Sequence, residues 1–256
     1  MLRIEALSAG YSQLPIIQDV SLGVDEGRML AIIGPNGSGK STLLKATIGI
    51  LKPMSGRVLV ADADVAGWPS HAIVRRGVGY VPQLSNVFQS LTVVENLEMG
   101  AYSYGGNVRL RLQHIFDTFP DLADGRHKKG GELSGGQRNL LGVARALMSE
   151  PGLLLVDEPT AGLAPINSQR IWDQLVTIAS GGTAVVVVEQ NVDFALRHAH
   201  AACVMVAGRV KLCAEASDII DRDLHAMFLG QDTPEDSGIS SRVATQPESA
   251  RPTPHE

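Results

Sequence analysis

Cysteine is almost absent: the 256 residues contain two, Cys203 and Cys213. Two thiols cannot build a disulfide framework and their spacing is not that of a zinc site, so a small stapled secreted fold is excluded and a reducing compartment suits the chain. Long apolar runs are missing as well. None approaches the roughly 18–20 residues that a membrane-spanning helix requires, and the opening stretch "MLRIEALSAGYSQLPI" lacks the basic segment and apolar core of a secretory signal. Export is not expected, and any membrane association is expected to come through a partner. An excess of basic charge is also lacking, since 22 Lys and Arg stand against 27 Asp and Glu for a formal charge of -5. Without a net positive field there is no general attraction to nucleic acid or anionic lipid, and no nucleic-acid partner is expected.

What is present is the composition of an ordinary globular chain, 44% hydrophobic and 19% charged, long enough for a large core. The first thirty residues alternate loosely and read as short antiparallel strands. Apolar runs at Met29 to Ile33, Leu153 to Val156 and Ala184 to Val188 read as strands buried on both faces. A helical pattern follows the first run from Lys40, and another spans Ser168 to Ser180 between the last two, so the alternation predicts an α/β chain with a parallel core. Between about 84 and 150 the pattern turns helical with polar loops, which reads as an inserted helical unit. After Gly230 the segment "QDTPEDSGISSRVATQPESARPTPHE" holds no Leu and no Phe, Trp or Tyr, so residues 231–256 are expected to be a disordered tail.

Three motifs carry chemistry. Gly34-Pro35-Asn36-Gly37-Ser38-Gly39-Lys40-Ser41 fits G-x-x-x-x-G-K-[ST] and lies between a buried strand and a helix, the setting in which backbone N–H groups and a helix N-terminus cradle phosphates. Lys40 is then expected on the β- and γ-phosphates, Ser41 on Mg²⁺, and Thr42 as a further nucleotide contact. In "LLLVDE", Asp157 and Glu158 stand at the carboxyl end of a buried strand, the edge where a parallel sheet holds its ligands. Asp157 is expected to hold the metal and Glu158 to act as general base on water, although "DEPT" also fits a helix cap. The third motif, Leu133-Ser134-Gly135-Gly136-Gln137, opens another helical run and forms a second anion-binding face in a chain that already has one, which suggests a nucleotide shared between two chains.

With "GPNGSGKST", "LSGGQ" and "LLLVDEPT" in this order, the sequence resembles the nucleotide-binding subunits of ATP-binding cassette transporters over about residues 2–230. The resemblance implies a P-loop NTPase (RecA-like) core with an antiparallel β subdomain and an inserted α-helical subdomain. It also implies ATP and Mg²⁺ as ligands. In the family two cassettes pack head to tail, each ATP lying between one phosphate loop and the other chain's Ser134, Gly135, Gly136 and Gln137. Tyr11 matches the aromatic that stacks on adenine. Gln83, in "YVPQ", matches the glutamine that touches Mg²⁺ and the attacking water. Partners follow too: two membrane permease subunits, a second cassette identical or related to this one, and indirectly a periplasmic or extracellular substrate-binding protein, with the chain peripheral on the cytoplasmic face of the plasma (inner) membrane.

The sequence departs from the family where a histidine usually contacts the γ-phosphate, since "VVVVEQN" places Gln190 there, and where a loop usually carries aspartate, since "AGLAP" has Ala164. A glutamine can donate a hydrogen bond but carries no proton or charge. These departures, with "NVFQSLTVVENLEMGAY", resemble the second ATPase of branched-chain amino acid importers and their urea- and amide-transporting relatives. The alternative is a soluble cassette ATPase of iron–sulfur cluster assembly. Phe88 in that stretch is expected to be partly exposed as one wall of a permease-docking groove, against the plain reading that Phe88, Leu91 and Val93 fill the insertion's own core. His198, His200 and Cys203 are read as a solvated helix end rather than metal ligands.

Overall fold

In the computed structural model residues 1–228 are described, except Ser85, Ser103, Tyr104, Asp221 and Asp223, so the expectation for residues 231–256 lies outside the described residues. In chain order the elements are β1 (Leu2–Ala9), β2 (Ile17–Val24), β3 (Met29–Ile33), α1 (Lys40–Thr47), β4 (Ser55–Val60), β5 (Ala63–Asp64), α2 (Ser70–Arg75) and β6 (Val78–Val81). There follow α3 (Val93–Gly100), α4 (Val108–Thr118), α5 (Pro120–Asp124), a 3-10 turn (Gly130–Glu132), α6 (Gly135–Leu147), β7 (Leu153–Asp157), α7 (Pro165–Ser180) and β8 (Ala184–Glu189). The described part closes with α8 (Val192–His198), β9 (Ala201–Val206), β10 (Arg209–Glu215), α9 (Ala216–Ile219) and α10 (Leu224–Phe228). Among the described residues no helix is long and apolar enough to cross a membrane.

The strands form two sheets. One is antiparallel in the order β2-β1-β4-β5, and the other has six strands in the order β10-β9-β3-β8-β7-β6. In the second, β9, β3, β8, β7 and β6 run parallel and β10 pairs antiparallel with β9 at the edge. Every residue of β3, β7 and β8 is buried, which is why these strands read as unbroken apolar runs rather than alternating ones.

The alternation is hidden between two cores. Met29, Ala31, Ile33, Leu154, Val156, Val185 and Val187 pack with residues such as Leu141, Trp172 and Leu175 from α6 and α7. Leu30, Ile32, Leu153, Leu155, Val186 and Val188 face the other way, toward Leu43 and Leu44 of α1 and toward Leu2, Ile4 and Leu7 of the antiparallel sheet. Each of the Val, Leu, Ile and Met side chains among them contributes about 1.5–3 kcal/mol on burial. The parallel sheet is thus clamped from both sides, and its carboxyl edge is held still.

Helices α3 to α6 occupy the stretch read as an insertion. Thr92 and Glu95 form a capping box at the start of α3, and Ser134 with Gln137 forms another at the start of α6. The two helices pack against each other through a close approach at Gly100, where an added Cβ would lie 2.2 Å from the Arg145 carbonyl oxygen.

Two expectations need correction. Cys203 and Cys213 face each other across β9 and β10 and are joined by a disulfide, a cross-strand bridge that a count of two had not suggested. His198, His200 and Cys203 are not one solvated helix end: Cys203 is buried in β9, the His200 Nδ1 accepts the Met29 N–H at 3.0 Å, and the His198 ring stacks on Trp172 and Phe194. Their sequence proximity spans a helix end, a turn and a strand, which aim their side chains at different partners.

Candidate active site

Four parallel strands deliver polar residues to one edge. The loop after β3 supplies Gly34 to Gly39, Gln83 follows β6 by two residues, β7 ends in Asp157 with Glu158 next, and Gln190 follows β8. This is the crevice outside the carboxyl ends of the strands where open α/β sheets bind ligands. A cleft there is lined by Ile16, Asn36, Gly37, Gly39, Lys40, Ser41, Thr42 and Glu158.

The loop is built to present donors. Gly37 and Gly39 take φ of 79° and 100°, left-handed values that a side chain resists. At Gly37 a Cβ would enter open space, whereas at Gly39 it would lie 2.7 Å from Ile17. The Lys40 ammonium is buried and donates to the carbonyl oxygens of Gly34 and Pro35 at 2.8 and 3.1 Å. Burial pulls its pKa down, against the opposing pull of Glu158, Asp157 and Glu189. The buried Ser38 hydroxyl has no hydrogen-bond partner, an orphan that an anion's oxygens would satisfy.

Ser41 Oγ donates to Asp157 Oδ1 at 2.9 Å. A hydroxyl and a carboxylate so placed are the hard oxygen donors that suit Mg²⁺, and their closeness fits a shared metal. Burial raises the Asp157 pKa, with the Ser41 bond opposing. Glu158 is 8% exposed and takes φ 45°, a strained value for a non-glycine residue, fixed by its N–H bond to the Val188 carbonyl at 3.0 Å. Its Oε2 accepts two amides, Gln83 Nε2 at 2.7 Å and Gln190 Nε2 at 2.8 Å. Among the described residues nothing donates to its Oε1. Gln83, Glu158 and Gln190, far apart in sequence, thus meet at one oxygen.

Tyr11 is 63% exposed, within hydrogen-bond reach of Lys45 Nζ at 3.3 Å on the outer face of α1. Ser134, Gly136 and Gln137 line a different cleft, with Asp121, Leu140, Asn167 and Arg170. Gly135 and Gly136 leave room for their neighbours: a Cβ on Gly136 would lie 3.0 Å from Asn167, and one on Gly135 3.3 Å from Leu163. Within one chain the structure therefore does not bring the phosphate loop and the "LSGGQ" helix to a common cleft, the separation that a shared nucleotide would require. Phe88 is 45% exposed under the Arg145 guanidinium, 5.0 Å from its ring centroid, whereas Val93 is fully buried in the core.

Two residues in this region escaped the sequence reading. Glu189, 2% exposed, accepts from Thr160 and Gln190. Asn139 on α6 donates to the Pro159 carbonyl at 2.7 Å and accepts from Asn86 at 3.1 Å. The only sequence signal was a polar residue inside an apolar run, at Glu189, and a polar residue on the buried side of a helix, at Asn139.

A family profile described as ABC transporter matches residues 17–161. A probable branched-chain amino acid transport ATP-binding protein LivF from Archaeoglobus fulgidus is 38% identical over 225 residues, 87% of this chain and 95% of the relative. The high-affinity branched-chain amino acid transport ATP-binding protein BraG from Pseudomonas aeruginosa is 37% identical, covering 82% and 91%. The lipopolysaccharide export system ATP-binding protein LptB from Escherichia coli strain K12 is 31% identical, covering 88% and 95%. In shape the chain is similar to a nucleotide-free ATP-binding cassette from an ABC transporter, with a TM-score of 0.81 and 26% identity over 90% of this chain and 98% of that one. A profile match across more than half of the sequence, joined to relatives spanned almost end to end, establishes that this chain belongs to the ABC transporter family, as one of its ATP-hydrolysing cassettes.

Proposed function

We propose that the chain energises an importer of branched-chain amino acids or similar small polar substrates. The supporting observation is the similarity to LivF and BraG, at 38% and 37% identity, against 31% for LptB. The export names among the relatives favour a second reading, an exporter ATPase of the same chemistry. None of the relatives cited supports the iron–sulfur alternative.

In this reading Gly34, Pro35, Asn36, Gly37, Ser38 and Gly39 wrap the phosphates, Lys40 meets the β- and γ-phosphate oxygens, and Thr42 adds a further contact while Tyr11 stacks on adenine. Ser41 and Asp157, with Gln83, would hold Mg²⁺. That ion, when bound, neutralises charge on the phosphate oxygens. Glu158 takes the proton of the attacking water on Oε1, the oxygen left open, while Gln83 and Gln190 hold Oε2 and fix the direction of approach. Ser134 to Gln137 complete the site of a partner cassette, so hydrolysis requires a head-to-tail pair. Of the two permeases, one docks a helix on the face bearing Phe88 and the other on the partner cassette, which holds the chain at the cytoplasmic side of the membrane, and a substrate-binding protein delivers cargo from the other side.

The test is reconstitution with two candidate permease subunits, a second cassette and a substrate-binding protein in proteoliposomes. ATP-dependent uptake of leucine, isoleucine or valine is expected, abolished by Glu158→Gln, which should also accumulate an ATP-bound cassette pair on size exclusion. An assembled complex that hydrolyses ATP yet moves none of these, or any short amide, would refute the importer reading.

A further inference from the structure

Glu189 ends β8 and is 2% exposed, and no step above uses it. The other five residues of that strand are Ala or Val, so an apolar side chain would fill the space at lower cost than a desolvated carboxylate. The carboxylate is nevertheless well partnered. Oε1 accepts the Thr160 N–H at 3.2 Å and the Thr160 hydroxyl at 2.5 Å, and Oε2 accepts the Gln190 N–H at 3.1 Å. Thr160 lies two residues beyond Glu158, and Gln190 is an amide donor to Glu158. Glu158 in turn gives its N–H to Val188, the residue before Glu189. The hydrogen bonds close into a ring joining the loop after β7 to the loop after β8.

We infer that Glu189 is a positioning residue for ATP hydrolysis: its carboxylate staples the two loops so that Glu158 and Gln190 keep one mutual geometry while nucleotide and partner come and go. The staple makes no hydrogen bond to the phosphate loop or to Lys40, and its charge acts on that lysine less than those of Glu158 and Asp157 do, so its main effect is on turnover rather than on nucleotide binding. The inference rests on Glu158 being the base.

The experiment compares Glu189→Gln, Thr160→Val and Glu158→Gln in the full chain, reading kcat and KM for ATP with Mg²⁺, equilibrium binding of a fluorescent ATP analogue, and melting temperature. Glu189→Gln keeps the volume but turns one acceptor oxygen into a donor that faces either Thr160 or the Gln190 N–H, so one arm of the staple breaks. We expect kcat to fall about tenfold with KM and nucleotide affinity held within about twofold. Thr160→Val, which removes only the hydroxyl arm, should reproduce about a third of that loss on a logarithmic scale, and it decides the matter if Glu189→Gln does not fold. In a Gln190→Ala background the Glu189→Gln loss should shrink to about threefold, because the amide that it positions is gone. An unchanged kcat in Glu189→Gln beside an inactive Glu158→Gln overturns the inference alone. A loss of binding and turnover in equal measure with a depressed melting temperature overturns it in favour of a structural prop. Full turnover in Glu158→Gln overturns the base assignment, and the inference with it.

Discussion

Replacing Gln190 with alanine isolates the contribution of the amide that stands where the family usually has histidine. The structure places two amides on one oxygen of Glu158, at 2.7 Å from Gln83 and 2.8 Å from Gln190. A hydrogen bond to a charged acceptor is worth about 1.5–3 kcal/mol, and the exposed position of Gln190 brings this toward or below the lower end, since water replaces part of a lost donor. An effect of about 1–1.4 kcal/mol corresponds to a fall in kcat of roughly five- to tenfold. Because the Gln83 bond survives, the base stays partly aimed, whereas removing both amides should cost more than the sum of the single losses. KM should hardly move, as neither amide bonds to the phosphate loop. The assay is steady-state phosphate release at saturating ATP and Mg²⁺, at several enzyme concentrations so that pairing of cassettes is not limiting. Gln190→His should keep or raise turnover, because an imidazole still presents an N–H donor and adds charge when protonated. Wild-type kcat in Gln190→Ala would refute the reasoning, as would a loss confined to nucleotide affinity.

Lys40 is the one cation among the residues lining the phosphate-loop cleft, with Asp157, Glu158 and Glu189 close enough to act on it. Lys40→Ala leaves an acidic pocket for an anionic substrate, and ATP turnover should fall at least about a hundredfold in a phosphate-release assay, with more than a tenth retained counting against its role. Phe88→Ala removes a half-exposed ring and its contact with Arg145, worth about 0.5–1 kcal/mol. The melting temperature measured by calorimetry should therefore drop by only a few degrees. Co-purification with the permeases and transport should fall much further, and a large loss of stability without a selective loss of assembly would place Phe88 in the core.

Much of this was legible because the chemistry is contiguous. The phosphate loop, "LLLVDE" and "LSGGQ" are each set by local backbone demands, a turn rich in glycine or a helix cap, and these show in the spacing of a few residues. The buried strands were legible from their composition, since a strand covered on both faces has no reason to alternate. What stayed hidden depends on contacts across the chain. Glu189 reaches Thr160 over 29 residues and Asn86 reaches Asn139 over 53, and neither pair has a local signature. His198, His200 and Cys203 misled for the converse reason: neighbours in sequence were read as neighbours in environment, although a strand begins between them. The convergence of Gln83 and Gln190 on a single oxygen required knowing that β6 and β8 flank β7.

That strand order bears on how the protein is made. β8 lies between β3 and β7 but is synthesised after both, so the middle of the six-stranded sheet is filled by a late arrival. Until residue 189 has left the ribosome, β3 and β7 each present an apolar edge with no neighbour on that side, β7 for a few seconds and β3 for about 8–30 seconds at about 5–20 residues per second. Such edges invite pairing with other nascent chains, so a chaperone that shields Met29–Ile33 and Leu153–Asp157 would act in that interval. In a chain that ends before β8, Gln190 and the Val188 carbonyl are missing, so the hydrogen bonds that hold Glu158 from that side form only once the sheet is closed.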